Sequence, residues 1–510
     1  MVKAVKPKIS PLGTDTWRVP GDRSLRGVRA LVAALAALAL LASSAWGLSR
    51  AAAAPKRIPV SGLHIMNYYP SDDGWTLMWT DYSHATTVSD FQALASLGAN
   101  TVRVIVQPSA VGYPSVTTTM RAEFDDMLGV AAATGLQVQL SLFDQWGNYS
   151  DISGSEQWVS SLLQGMGNDN IIDLVELRNE MPLTPAAIAW AQQLLPYLSK
   201  VLPGVPRTVS SSGATGLAGV TALLNAIPSS MLDVVDVHYY GEPSLAFAEL
   251  TAVKAESGGR PVIVGETGES TYGTASGEVA QARYFAIMAQ TTRALNMPPP
   301  APWMLNDVIR AAGETLTTGE EYFGLRRPDG TWKPAATIVR EAFEGQAVSG
   351  SAFDTSLQAE ANNGGSTLLG AWSAFDSADG LPVVTPGIPT PGLQAVCYQN
   401  TGGSTSDNPA LEQSLPIFTS GQEVSVSATL QRTGTGFDQV SIAYYSAGGS
   451  YLGEADSPTA SLIGPQETLS VSTTVPPGVA AVAINLKAAH QSGQACWEST
   501  TIQTPNLITS

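Results

Sequence analysis

The sequence predicts an α/β chain, a (β/α)8 TIM barrel followed by an all-β, jelly-roll-like sandwich. Between Ile58 and Gly345, short apolar runs alternate with longer amphipathic ones in eight successive pairs. Strands separated by helices imply a parallel sheet, and roughly 290 residues suit a barrel with modest insertions. From about Ser349 the helical period stops, Gly, Ser and Thr become dense, and four stretches alternate with a period of two, as half-buried antiparallel strands do. The first strand leads into an aromatic and acidic stretch, HIMNYYPSDDGW. A doubly wound nucleotide-binding sheet, the competing architecture, would place a glycine-rich phosphate loop there. At 510 residues the chain exceeds one ordinary core. The expected division is 1–54 for a targeting segment, 55–347 for the barrel and 348–510 for the sandwich.

Taken in order, Met1 to Arg29 carries seven basic residues against Asp15 and Asp22, and Ala30 to Leu48 is uncharged. A basic region, an apolar run and the small residues Ala51 to Ala54 read as an export signal. About 20 apolar residues also suffice to span a bilayer. Cleavage near Ala54 would give a secreted, extracellular protein; without it the run would be an N-terminal membrane anchor with the basic tail inside.

Strands are expected at Gly62 to Met66, Thr101 to Val106, Gln137 to Phe143, Ile172 to Arg178, Arg207 to Ser211, Val234 to Tyr239, Val262 to Glu266 and Pro302 to Asn306. Helical spacing falls between them, at Val88 to Leu97, Met120 to Ala133, Glu156 to Leu163, Pro185 to Val201, Ala218 to Ile227, Leu245 to Glu256, Glu278 to Leu295 and Ala335 to Phe343. In such a barrel the active site lies at the carboxyl ends of the strands. Read there, the chain offers His64 and Asn67, then Arg103, then Asp144 and Trp146, then Asn179 and Glu180. His238 and Tyr240, Glu266, and finally Trp303, Asn306 and Asp307 follow. Polar and aromatic residues recur at one phase of nearly every repeat, which is the chemistry of a cleft.

Two of these ends present a glutamate, in IIDLVELRNEMP and PVIVGETG. Paired carboxyls can supply a proton to a leaving oxygen and negative charge beside an oxocarbenium carbon. One should be held protonated near neutral pH and the other ionised. Their separation decides the outcome: about 5–5.5 Å gives retention through a covalent intermediate, and a wider gap admits water and inverts. Trp75, Trp79 and Trp146 fall in expected loops, where exposed indoles would suit sugar faces. A net charge of −17 disfavours nucleic acid, and a neutral substrate fits. The chain shows no metal, phosphate or nucleotide motif, and SSSG at Ser210 to Gly213 lacks the spacing of a nucleophile elbow. No cofactor is expected, and a monomer is.

Asn179-Glu180 after a fourth strand, Glu266 after a seventh, His238-Tyr239-Tyr240 on the sixth and Trp303 on the eighth resemble the retaining (β/α)8 glycoside hydrolases, most closely the cellulase/mannanase-type family 5. The resemblance covers Ile58 to Gly345. It implies Glu180 as acid/base and Glu266 as nucleophile, in an enzyme that cleaves β-glycosidic bonds of a neutral poly- or oligosaccharide by double displacement. It also implies that Asn179 bonds the sugar 2-hydroxyl, that Arg103 and Tyr240 hold the nucleophile, that His238 lines the pocket and that Trp303 floors it. The chain departs from the family in having Phe143-Asp144 where a histidine is common, and in placing Pro182 one residue late. The alternatives are a clan relative cutting a furanosidic or other unusual bond of a bacterial surface glycan, and a non-catalytic carbohydrate-binding barrel.

In the last third, Glu423 to Leu430, Gln439 to Tyr445, Thr468 to Val475 and Ala480 to Leu486 are the expected strands. Cys397 and Cys496, the only cysteines, suit one disulfide in an exported domain. Gly421, Pro476 to Gly478 and the closing Gly493 to Trp497 resemble the jelly-roll carbohydrate-binding modules attached to polysaccharide hydrolases. Tyr398, Tyr444, Tyr445 and Trp497 would then be sugar platforms, or else core aromatics.

Overall fold

The computed structural model describes residues 56–166, 170–213, 216–272, 277–313, 316–317, 319–348, 357, 372–375, 383–386, 394–400, 410–490 and 493–504. The expected export segment, 1–54, lies outside them, as do residues 349–356, where the barrel is expected to give way to the sandwich.

Parallel strands come first. β1 (Ile65–Asn67), β2 (Thr101–Val106), β3 (Gln137–Leu142), β4 (Ile172–Glu176) and β5 (Arg207–Thr208) form one sheet in that order. β6 (Ser210–Ser211), β7 (Val235–Tyr239) and β8 (Val262–Thr267) form a second. Val209 alone separates β5 from β6, so the fifth expected strand is shared between the two sheets.

The eighth expected strand, Pro302 to Asn306, is not a regular strand; it makes isolated bridges, from Pro302 to Thr267 and from Asn306 to Arg326. Pro302 has no N–H to give to a ladder. The segment is nonetheless bonded on both sides. Trp303 N–H donates to Thr267 O at 2.7 Å, Asn67 N–H to Pro302 O at 3.3 Å and Leu305 N–H to Asn67 O at 3.0 Å.

The longer helices among the described residues are α1 (His84–Ser96), α2 (Thr118–Thr134), α3 (Ile152–Leu163), α4 (Pro185–Val201), α5 (Gly216–Ala226), α6 (Ala246–Glu256), α7 (Gly277–Ala294) and α8 (Ala335–Phe343). Their starts follow the chain's own capping chemistry: the side chains of Ser83, Thr117, Asp151 and Thr184 accept the backbone N–H three residues on. Facing the strands, they bury Phe91, Phe124, Trp158, Trp190 and Phe285. A smaller apolar cluster, Leu63, Ile65, Leu174, Val234, Ile263 and Ala301, packs together near the strands' amino ends. Further along β2, β4 and β7 the buried residues Arg103, Glu176, Asp236 and His238 are polar.

Among the described residues ten antiparallel strands follow, from Ser373–Phe375 to Gly493–Gln503, in two five-stranded sheets. The expected alternation is realised on Glu423–Arg432, where every second side chain is buried. Cys397 and Cys496 sit opposite one another on paired strands and are disulfide-bonded. Tyr398, Tyr444 and Trp497 are buried, which makes them core aromatics rather than sugar platforms. The parallel and antiparallel parts touch where Arg283 donates to Ser414 O and where Phe247 meets Phe418 edge to face at 5.2 Å.

Candidate active site

Arg103 organises the carboxyl ends of the strands. Fully buried, its guanidinium donates to Glu266 Oε1, to Asn67 Oδ1 at 2.7 Å, to Asn179 Oδ1 at 2.8 Å and twice to Glu176 Oε2, at 2.7 and 3.1 Å. One planar fork therefore fixes groups from β1, β4, the turn after β4 and β8, a geometry that a lysine ammonium cannot match.

Glu180 sits on a bent turn. Its φ is +44°, a region that side chains other than glycine seldom occupy. Trp75, Phe143 and Gln145 share this property, so four of the six such residues among those described lie in the loops after β1, β3 and β4, where backbone strain commonly marks function. Arg178 holds the turn: it donates to Asn179 O, to Glu180 O at 2.6 Å and to Trp146 O at 3.5 Å. Ser210 Oγ accepts the Glu180 N–H at 2.9 Å and donates to Glu176. Gly213 N–H donates to Glu180 Oε1 at 2.9 Å, and a Cβ on Gly213 would come within 2.5 Å of the Tyr240 ring. Arg178→Ala is expected to lower kcat roughly a hundredfold by releasing this turn, with Arg178→Lys recovering part of the loss; steady-state kinetics on both variants checks it.

Glu266 reaches the cleft through a register shift. Along β7 and β8 the pairs run Val237 with Val264, then His238 with Glu266, skipping Gly265. Without that extra residue, strict alternation from inward-packed Ile263 would turn Glu266 toward the helices. A Cβ on Gly265 would stand 2.1 Å from Asp236 Oδ1, so glycine is what allows the bulge. Once inside, Glu266 accepts from Arg103 and from Tyr240 Oη at 3.2 Å. His238 Nδ1 stands 3.3 Å from Glu266 Oε2 and 3.3 Å from Glu180 Oε1. An oxygen of Glu180 lies within 4.8 Å of one of Glu266.

The charge balance differs from the sequence expectation. Burial pushes Glu180 up, but the hydrogen bond and charge of His238 and the Gly213 N–H outweigh it and leave the carboxyl below its usual range. Burial also pushes Glu266 up, and there it prevails over the pull of His238 and Arg103. The expected acid is lowered and the expected nucleophile raised. His238 lowers both carboxyls, decisively only for Glu180; burial opposes the imidazole's own charge, yet Glu266 and Glu180 raise it to about 9. A raised imidazole thus stands 3.3 Å from each of the two carboxylates. Beneath them, burial raises Glu176, but Arg103 and His238 hold it down at about 2, and burial with the nearby Glu176 charge lifts Asp236 to about 7.

Arg103, Asn179, Glu180, His238, Tyr240 and Glu266 thus come together as the sequence suggested. Trp303 stands edge-on to Tyr69 at 5.9 Å and to Trp75 at 6.4 Å. Trp146 packs its ring on Tyr113 at 4.5 Å and on Phe143, and its link to the site runs through its carbonyl and Arg178. Other residues lie elsewhere. His64 precedes β1, bonds Gly98 O and stacks on Phe343. Trp79 is wholly buried on a short helix, its Nε1 donating to Ile105 O at 2.9 Å, and Trp75 is buried against Tyr69 rather than exposed.

Glu176, Ser210 and Gly213 were missed as site residues. A carboxylate two residues before Arg178, near the end of a largely apolar strand, was the available signal for the first. Asp144, which accepts from Asn179 and Gln107 at 3.2 Å each, joins the same network.

Among the described residues two sets have the spacing of metal ligands, Glu180 with His238 and Glu266, and Glu176 with Asp236 and His238. In both, a carboxylate already carries the Arg103 guanidinium, whose positive charge does there what a cation would do.

No protein-family model and no curated protein matches the chain. Among solved structures, the chain is similar to an exo-β-1,4-mannosidase, Op5Man5, from Opitutaceae bacterium strain TAV5, with 19% identity, TM-score 0.47, and 55% of this chain and 59% of that one covered. The chain thus spans less than two thirds of that protein's length. It is also similar to a GH5_18 protein of Streptomyces cattleya in complex with Manb1-4GlcNAc (19% identity, TM-score 0.45, 55% and 80% covered). A family 39 glycoside hydrolase of Bacteroides cellulosilyticus WH2 matches over 85% of this chain and 83% of its own, at 14% identity and TM-score 0.43.

Proposed function

We propose that this chain is a retaining glycoside hydrolase that cleaves β-glycosidic bonds in a neutral poly- or oligosaccharide, with Glu266 as nucleophile and Glu180 as acid/base. The observation that carries it is the pair of carboxylates with oxygens within 4.8 Å, joined by one imidazole. That closeness suits direct attack by a carboxylate, as in the short-separation geometry of the retaining mechanism. The parallel strands, with the segment from Ala301 to Leu305 bonded to both β8 and β1, are taken as a closed (β/α)8 barrel, and the antiparallel sheets as an appended sandwich. Export to an oxidising compartment accords with the Cys397–Cys496 disulfide.

In the first step Glu266 attacks the anomeric carbon while Arg103 and Tyr240 hold its carboxylate, and Glu180 protonates the departing oxygen. Water, deprotonated by Glu180, then releases the sugar. The acid's proton comes from the trio as a whole: moving it from His238 Nδ1 to Glu180 Oε1 changes no proton count, so the resting and reactive forms coexist at one pH. Sugar release from a panel of neutral β-glucans, β-mannans and galactans, lost in both Glu180→Gln and Glu266→Gln, tests this function; release that survives both changes refutes it.

The pH profile carries a second expectation. His238 is faced by Glu180, Glu266, Arg103, Asp236 and Glu176. The alkaline limb of kcat/KM should lie near the raised value of about 9, where the trio loses its last proton. In His238→Gln that proton must reside on a carboxyl group, so the limb moves to lower pH. A variant limb that stays in place would show that His238 does not share the proton.

A further inference from the structure

On the parallel-sheet half, only Tyr272, Ile309 and Tyr322 among the described residues are large, apolar and exposed. Two of them adjoin. Tyr272 is 57% exposed and Tyr322 38%, with ring centroids 5.7 Å apart and planes inclined by 39°.

Their backbones are fixed while their rings face solvent. Thr271 donates to Tyr322 O through both its N–H, at 3.1 Å, and its hydroxyl, at 3.0 Å. The buried Lys333 ammonium donates to the same carbonyl at 3.1 Å, to Thr271 Oγ1 at 2.8 Å and to Asp307 at 2.7 Å. Ser270 Oγ accepts the Tyr272 N–H and donates to Gly319 O at 2.6 Å. A buried ion pair seldom adds stability over an apolar pair of similar size; here it holds the junction of two loops that present aromatic rings.

That junction is continuous with the cleft. Tyr272 follows Glu266 by six positions on the loop leaving β8. Phe323, next to Tyr322, meets Tyr240 edge to face at 6.1 Å, and the Tyr240 hydroxyl bonds Glu266. Phe323 also packs so closely on Gly268 that a Cβ there would approach its ring to 2.9 Å. The surrounding charge favours a neutral ligand: Glu269, Glu320 and Glu321 flank the rings in sequence, and the Lys333 ammonium at the junction is buried against Asp307. An anionic glycan would be repelled. A neutral pyranose can lay its C–H face on a tyrosine ring and its hydroxyls at the phenolic rim.

We propose that Tyr272 and Tyr322 form a second sugar-binding platform, which takes a further unit of the neutral glycan whose reacting bond lies between Glu180 and Glu266. This rests on the glycosidase function proposed above.

The test is a ladder of neutral β-gluco- and β-manno-oligosaccharides of increasing length. Hydrolysis is measured for the active enzyme and calorimetric binding in the Glu266→Gln background, each with and without Tyr272→Ala, Tyr322→Ala and the corresponding Phe substitutions. In the parent protein affinity rises with length. The alanine variants should lose that rise, about tenfold for the longest ligand, with the shortest ligand and a short aryl glycoside unaffected; the phenylalanine variants should keep it. Unchanged length dependence in the alanine variants, or equal loss for short and long ligands, overturns the platform. Ring-dependent binding without any hydrolysis by the active enzyme overturns the glycosidase function alone, and hydrolysis without ring dependence overturns the platform alone.

Discussion

Glu266→Gln is expected to lower kcat roughly ten-thousand-fold on any substrate. The amide keeps the shape and can still bond to Tyr240, but it cannot form the covalent bond to the anomeric carbon, and losing a nucleophile costs about this much. Glu180→Gln behaves differently, because its contribution depends on the leaving group. On a glycan, whose departing alkoxide needs a proton, the loss is about 10²- to 10⁴-fold. On a nitrophenyl glycoside, whose leaving group departs as a stable anion, the first step survives and slow turnover of the intermediate limits the rate. Equal losses for the two variants on both substrate types would remove the distinction between nucleophile and acid/base.

Arg103→Met carries the largest expected cost in stability. The guanidinium is the charge partner of two buried carboxylates, Glu176 and Glu266, and deleting one member of such a network costs about 3–5 kcal/mol. Urea denaturation reads this directly. Arg103→Lys keeps the charge but cannot reach Asn67, Asn179, Glu176 and Glu266 together. It should therefore recover most of the stability and little of kcat. A stable, active Arg103→Met protein would show that the network neither supports the fold nor positions the nucleophile.

The strands and helices were legible because their residues repeat with two distinct periods. Pro185 to Val201 and Ala335 to Phe343 are helices with the expected bounds, and Thr101 to Val106 is the expected strand. The phase of the repeats also located both carboxylates. What the period could not carry was direction. Glu266 points inward because of a bulge at Gly265, which the apolar run PVIVGETG does not reveal. Trp79 looked like an exposed loop indole because it falls between an expected strand and an expected helix, yet its ring fills the core and its Nε1 finds Ile105 O. Charge was the least legible property. Burial raises Glu266, while Glu180 is lowered by a histidine 58 positions away in the chain and 3.3 Å from both carboxylates, and only folding brings the three together.

The measurement that bears most directly on a double displacement between Glu180 and Glu266 is the anomeric form of the sugar first released, followed by proton NMR before mutarotation. A β-linked substrate that yields the β-anomer first is the predicted result, because two inversions at a carboxylate pair this close restore the starting configuration. Release of the α-anomer first would mean a single displacement by water and would contradict Glu266 as the nucleophile.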